Sequence, residues 1–143
     1  MRFGRREEKV AWLRRVPLFA DLSTAQLAHV APFVDEVDVE PGQVLIEQDS
    51  FAQELIIIVD GAAEVTRDGD HLRDVGPGEV IGEIGLLDGG PRTATVTARE
   101  PTTVLSISKR AFDTVLHEVP GLPHELLRAL AVRLRDTLDA DHD

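Results

Sequence analysis

The chain of 143 residues contains no cysteine. This absence excludes disulfides, zinc ribbons and thiol catalysis, and it agrees with a reducing, cytoplasmic location. No apolar stretch reaches the roughly 18 residues that a membrane span needs, because the longest run covers only residues 55–59. The first residues also lack the hydrophobic core of a signal peptide, so nothing in the sequence suggests export.

Patterns of catalytic and metal-binding residues are missing as well. The five histidines are scattered, none forms an HxH pair, and no acid has metal-ligand spacing from two of them. A metal site like that of cupins, the main enzymatic alternative for a small β-barrel, is therefore disfavoured, and we interpret the acids around His71 as a solvated hairpin. No nucleophile motif, Walker loop or pair of helix acids is present. We expect no catalytic residues, no metal, no cofactor and no enzymatic activity.

The net charge of −11 is unevenly distributed. Residues 1–15 hold six basic and two acidic side chains, a net charge of +4, which leaves −15 for the rest. Such an acidic body repels nucleic acid and anionic membranes, so we expect no DNA binding by this chain alone. We interpret the basic N-terminus as a solvated helix face, with a docking arm for an acidic partner as the alternative.

Hydrophobic periodicity predicts helices on either side of a long β region. Apolar residues alternate with polar ones from Val37 to about Ser108. Turn residues recur there every 8 to 13 positions or so, which is typical of an all-β sandwich or barrel. Asp68-Gly69 predicts a tight hairpin. Ser23 and Gln26 have the spacing of a capping box at the start of a helix.

The run of residues 82–96 is the most informative part of the sequence. Gly82 and Gly85 let backbone amides approach a ligand closely, and a helical turn starting there would direct N–H groups at an anion. Arg92 can add two parallel hydrogen bonds to a phosphate, and Glu83 can accept from a sugar hydroxyl. Together these features indicate a nucleotide. The alternatives are a surface arginine at Arg92 and an ordinary N-terminal helix acid at Glu83.

This run resembles the phosphate-binding cassette of the cyclic nucleotide-binding domain family, of the catabolite activator protein and protein kinase A regulatory subunit type. The cassette has glycine, glutamate, two small or aliphatic residues, a leucine and a short loop before proline-arginine. The resemblance implies a mainly β protein with flanking helices: an eight-stranded jelly-roll β-barrel with an N-terminal helix and C-terminal lid helices. We expect a basic helical segment at 1–16 and the binding domain at 17–143, with its barrel at about 33–108 and its C-terminal helices at about 109–139.

The resemblance also implies a non-enzymatic receptor for a 3′,5′-cyclic nucleotide. Cyclic AMP is favoured over cyclic GMP, although threonine at Thr93 moves the choice slightly towards cyclic GMP, and movement of the C-terminal helices would carry the signal. Helical spacing places Leu130, Arg133 and Leu134 as candidate lid residues, unless these leucines only pack on the barrel. The ligand-binding residues implied by the cassette are Gly82, Glu83, Ile84, Gly85, Leu86, Arg92, Thr93 and Ala94.

No output domain such as a helix-turn-helix follows the lid helix in this sequence. The receptor is therefore expected to act through an unidentified effector protein or as a homodimer, or else only to buffer the nucleotide. Two alternatives stay open: an interaction or scaffold protein with an intact but unoccupied pocket, and a fragment of a larger cyclic-nucleotide-dependent regulator.

Overall fold

The computed structural model describes residues 6–51 and 54–142. The chain divides into two compact units, one of residues 33–112 and one that joins residues 1–32 to residues 113–143. We describe each unit by itself. The predicted basic segment falls partly on Arg2 and Arg5, which lie outside the described residues.

The unit of residues 33–112 is built from strands. Over the part of the chain described, these are β1 (Asp35–Val39), β2 (Val44–Ile46), β3 (Glu54–Asp60), β4 (Ala63–Arg67), β5 (Asp70–Val75), β6 (Val80–Ile81), β7 (Thr95–Ala98) and β8 (Thr102–Ser108). They form two four-stranded antiparallel sheets of order β1-β8-β3-β6 and β2-β7-β4-β5. The predicted mainly β, jelly-roll fold is confirmed.

Aliphatic side chains from both sheets form the core of this unit. Ile56 and Ile58 of β3 meet Val65 of β4 and Val96 of β7, and each of these side chains is at most 7% exposed. Burying a side chain of this size contributes about 1.5–3 kcal/mol. Every residue of the run at 55–59 is buried, and β3 is an inner strand of its sheet.

The tight turn between β4 and β5 forms where the sequence predicted it. Asp68 and Gly69 both have positive φ, 53° and 85°. Two consecutive residues with positive φ are typical of the turn whose twist matches that of the flanking strands. This hairpin makes β5 the edge strand of its sheet.

In the described part of the unit of residues 1–32 and 113–143, the chain forms α1 (Arg6–Leu13), a short 3-10 turn at Pro17–Phe19 and α2 (Thr24–Val30). A second 3-10 turn, Ala31–Phe33, ends at the first residue of the other unit. The capping box predicted at α2 is confirmed. Ser23 Oγ accepts from the Gln26 backbone N–H at 3.0 Å, and the Gln26 side chain accepts from the Ser23 N–H at 3.0 Å.

Among the described residues that follow, three further helices are present: α3 (Glu83–Asp88), α4 (Lys109–Glu118) and α5 (Leu122–His142). The last of these, α5, begins at Leu122, directly after Gly121. Its apolar stripe is buried at Leu126, half-buried at Leu130 and 61% exposed at Leu134. Within residues 6–51 and 54–142, no helix is both long enough and apolar enough to cross a bilayer.

Candidate functional site

The site begins where β6 ends and α3 starts. Gly82, the N-cap of α3, has φ +88°, a left-handed conformation that glycine adopts without strain. Gly89 closes the helix in the same region, with φ +67° and its N–H bonded to the Gly85 carbonyl at 2.9 Å. The short helix α3 thus begins after one glycine cap and ends at another. As in any helix, its first N–H groups have no partner within the helix.

The guanidinium of Arg92 lies directly against Gly82. A Cβ placed on Gly82 would overlap the Arg92 guanidinium and would stand 2.6 Å from the Glu54 carbonyl oxygen. Arg92 Nη2 donates to that same carbonyl. Gly82 is thus required twice, by its backbone conformation and by the space that the arginine occupies.

The backbone of Arg92 is held by the loop that follows β2. Its N–H donates to the Ser50 carbonyl at 2.7 Å, and its carbonyl accepts from the Asp49 N–H at 2.9 Å. Phe51 and Pro91 form an isolated antiparallel bridge beside it. These bonds between distant parts of the chain give Arg92 a defined backbone position although it precedes β7.

The charge of Arg92 is only partly compensated. Burial lowers the pKa of Arg92 below its ordinary value, and the negative charge of Glu54 raises it by a smaller amount. The Glu54 carboxylate is itself held by Ser106, whose Oγ donates to it at 2.5 Å. An arginine stays protonated at neutral pH, so a half-desolvated cation stands here, where an anion would bind favourably.

A cavity of about 540 Å³ opens beside Gly82 and Arg92, within the range usual for small-molecule sites. Its charged and hydroxyl-bearing lining residues, among those described, are Arg67, Arg73, Glu83, Asp88, Arg92 and Thr93. Its apolar lining residues, glycines aside, are Ile46, Val65, Leu72, Ile81, Pro91, Ala94 and Val96. The cavity therefore offers an apolar surface with charged groups at its boundary, which suits an amphipathic ligand.

Most of the predicted cassette residues meet at this cavity. Gly82, Glu83, Gly85, Arg92, Thr93 and Ala94 all line it. Leu86 does not line it: it is 1% exposed and packs in the interior. The side chain of Ile84 lies outside what the structure describes. The candidate lid residues Leu130, Arg133 and Leu134 belong to α5 in the other unit, and their role stays a prediction.

Sequence reasoning missed four residues of the site. Arg67, Leu72 and Arg73 line the cavity from β4 and β5, and Arg67 Nε donates to the Thr93 carbonyl at 3.0 Å. Glu54 supplies the carbonyl partner of Arg92. No local pattern marks these residues, because each reaches the site through pairing with a distant strand.

The arrangement can bind an anion and a hydroxyl group together. Arg92 and the N-terminus of α3 would face the anion, while Glu83, the first residue of the same helix, carries a carboxylate that can accept a hydrogen bond. Over the described residues, no three histidine or acidic side chains come together in a way that would hold a metal ion.

Comparison with known proteins gives a consistent result. A sequence model of the cyclic nucleotide-binding domain matches residues 36–118. The N-terminal domain of a transcriptional regulator from Streptomyces coelicolor A3(2) is 38% identical, with a TM-score of 0.82 over 90% of this chain and 96% of that one.

Two longer proteins are similar over most of this chain. The acetyltransferase Pat of Mycolicibacterium smegmatis is 38% identical over 90% of this chain and 39% of its own length. The cAMP-dependent protein kinase regulatory subunit of Mycosarcoma maydis is 34% identical over 78% of this chain and 23% of its own length. The chain therefore spans less than half the length of either relative.

Proposed function

Because the chain belongs to the cyclic nucleotide-binding domain family, we propose that its cavity binds a 3′,5′-cyclic nucleotide and that the chain acts as a non-enzymatic regulatory module. The observation that carries this proposal is the contact of the Arg92 guanidinium with Gly82 at the start of α3. It combines a cation, the N-terminus of a short helix and a neighbouring carboxylate at a cavity of about 540 Å³.

The phosphate is the group that this end of the cavity suits. A cyclic phosphodiester carries one negative charge and two free oxygens. Arg92 can donate two parallel N–H bonds, and the first amides of α3 add the positive end of the helix dipole. Glu83 then has a role that phosphate binding alone would not require, since a carboxylate repels a phosphate. It accepts a hydrogen bond from the ribose 2′-hydroxyl.

Cyclic AMP is the first ligand to test. The kinase regulatory subunit of Mycosarcoma maydis is named as cAMP-dependent, which supports adenine. Thr93 lines the cavity and could bond to the base of cyclic GMP through its hydroxyl, as the sequence resemblance implies.

Ligand binding would be transmitted through the C-terminal helices, with Leu130, Arg133 and Leu134 of α5 as candidate lid residues. Ordering of α3 by phosphate would bias the position of these helices. The relatives carry this kind of domain in proteins named as an acetyltransferase and a kinase regulatory subunit. We therefore propose an effector that is a partner protein, a second copy or a further domain, in the cytoplasm.

Calorimetric titration with cyclic AMP, cyclic GMP and linear 5′-AMP tests the proposal. We expect saturable 1:1 binding of a cyclic nucleotide and weaker binding of 5′-AMP, whose dianionic phosphate is not tethered to the ribose 3′ oxygen. The Arg99→Ala variant controls for loss of one positive charge outside the cavity, because Arg99 does not line the cavity and contacts Glu64 and Asp74. It should bind the nucleotides as wild type does. No binding of any of the three by folded protein would favour the scaffold alternative.

A further inference from the structure

Two hydrogen bonds join the loop after β2 to the turn between β4 and β5. Gln48 Nε2 donates to Asp68 Oδ1 at 2.8 Å, and Gln48 Oε1 accepts from the Asp68 backbone N–H at 2.9 Å. The first of these bonds ends on a carboxylate, and bonds to a charged group are stronger than neutral ones. Both ends of the Gln48 amide are therefore fixed by one residue of the turn.

The Gln48–Asp68 pair reaches across a strand. In the sheet, β7 lies between β2 and β4, so the two segments that the pair joins are separated by two strand spacings, roughly 10 Å. The backbone N–H of Gln48 also donates to Thr95 Oγ1, at the start of β7, at 3.0 Å. The pair thus closes the end of the sheet at which β7 begins.

The loop that carries Gln48 holds the backbone of Arg92 at this end of the sheet. The Arg92 N–H donates to the Ser50 carbonyl at 2.7 Å, and the Arg92 carbonyl accepts from the Asp49 N–H at 2.9 Å. Because β7 begins only at Thr95, these bonds to the loop, rather than the regular pairing of a strand, hold Arg92. A displacement of the loop would therefore displace Arg92.

The hairpin of β4 and β5 holds the next residue from the other side. Arg67, which lines the cavity, donates from Nε to the Thr93 carbonyl at 3.0 Å, and Asp68 follows it directly. The turn does not need Gln48 for its own geometry, because positive φ at both Asp68 and Gly69 already defines a tight hairpin. The bonds to Gln48 instead determine where the hairpin lies relative to the loop.

We propose that Gln48 is a positioning residue for the phosphate end of the cavity, because it joins the hairpin to the loop that holds Arg92. The predicted effect on affinity rests on the proposed function. Neither Gln48 nor Asp68 lines the cavity, so both act through Arg92 and its neighbours rather than on the ligand. A single hydrogen bond changes an equilibrium constant by only about 2- to 12-fold, so the domain should stay folded without the pair.

The test measures ligand affinity and amide hydrogen exchange on the same variants. Gln48→Ala removes both bonds to Asp68, and we expect about 3- to 10-fold weaker binding of cyclic AMP or cyclic GMP, whichever the wild type binds. The Arg92 amide should exchange faster by a similar factor, because the loop opens more often. The amide of Ile58, a fully buried core residue, should change by a smaller factor.

Exchanging the donor and acceptor of the pair separates positioning from a general loss of stability. Gln48→Glu replaces the donor with a carboxylate that faces Asp68, so affinity should fall at least as far as in Gln48→Ala. Adding Asp68→Asn supplies a donor from the other side and should recover most of the lost affinity, since asparagine tolerates the positive φ there. Gln43→Ala is the matched control and should bind as wild type does, because it removes a glutamine that accepts from the Glu40 N–H at 3.3 Å, outside the pair.

Three results would overturn the inference. The first is wild-type affinity and wild-type exchange at Arg92 in Gln48→Ala. The second is a double variant that recovers no affinity. The third is equal acceleration of exchange at Arg92 and Ile58, which would indicate a purely structural role. Wild-type protein that binds no cyclic nucleotide would instead overturn the proposed function, and exchange at Arg92 would then still decide whether Gln48 positions that residue.

Discussion

Replacing Arg92 with alanine removes the cation at the phosphate end of the cavity. Truncating one member of a buried ion pair typically costs about 3–5 kcal/mol. Arg92 is half-buried, so the lower end of that range applies. A loss of about 3 kcal/mol corresponds to roughly 150-fold weaker binding. The amides of α3 remain in the variant, and they alone carry only partial charge.

The same substitution also affects the unliganded protein. Without ligand, the Arg92 guanidinium donates a hydrogen bond to the Glu54 carbonyl. Losing a hydrogen bond of this type lowers stability by about 1 kcal/mol, which a domain of this size tolerates. The fold should therefore survive, with a melting temperature a few degrees lower.

Binding and folding have to be measured on the same samples. Circular dichroism and thermal unfolding establish that Arg92→Ala is folded, and calorimetry then gives its affinity for each cyclic nucleotide. Arg92→Lys should recover only part of the loss, because an ammonium cannot form two parallel bonds. A folded Arg92→Ala variant with wild-type affinity for every cyclic nucleotide would refute the reasoning, whereas Arg99→Ala should bind as wild type does.

Three other predictions concern the same site and α5. Gly82→Ala should abolish binding, because its Cβ would displace the Arg92 guanidinium. Gly42→Ala is the control for backbone strain, because Gly42 has nearly the same φ of +87° but nothing lies within 4 Å of its Cβ position. Equal ligand affinities of the two variants would contradict the proposed clash with Arg92. A 2′-deoxy cyclic nucleotide should lose about 1–3 kcal/mol of binding free energy, and equal affinity for the deoxy ligand would remove Glu83 from ribose recognition. Hydrogen exchange along α5 should slow when ligand is added, since few buried contacts hold its C-terminal half; unchanged exchange would mean that α5 takes no part in the response.

Local patterns were sufficient to predict much of the fold. Alternation along the β region, the Asp68-Gly69 turn and the capping box at Ser23 each depend on residues close together in sequence, and each is confirmed. The apolar stripe on α5 predicted a helix but did not predict which of its leucines are buried. Burial of a side chain depends on whether another segment covers it, and Leu127, Leu134 and Leu138 of this stripe are exposed.

The sequence by itself predicted that Gly82, Glu83 and Arg92 act together, because they lie close along the chain and resemble a known cassette, and all three line one cavity. Only the tertiary structure decided what surrounds them. The Glu54 carbonyl reaches Arg92 across 38 residues, and the bulge at Leu72 turns Arg73 towards the cavity through a register shift against β4. Such contacts arise from strand pairing between distant segments, and a shift of one residue reverses the direction of a side chain without leaving a mark in the sequence.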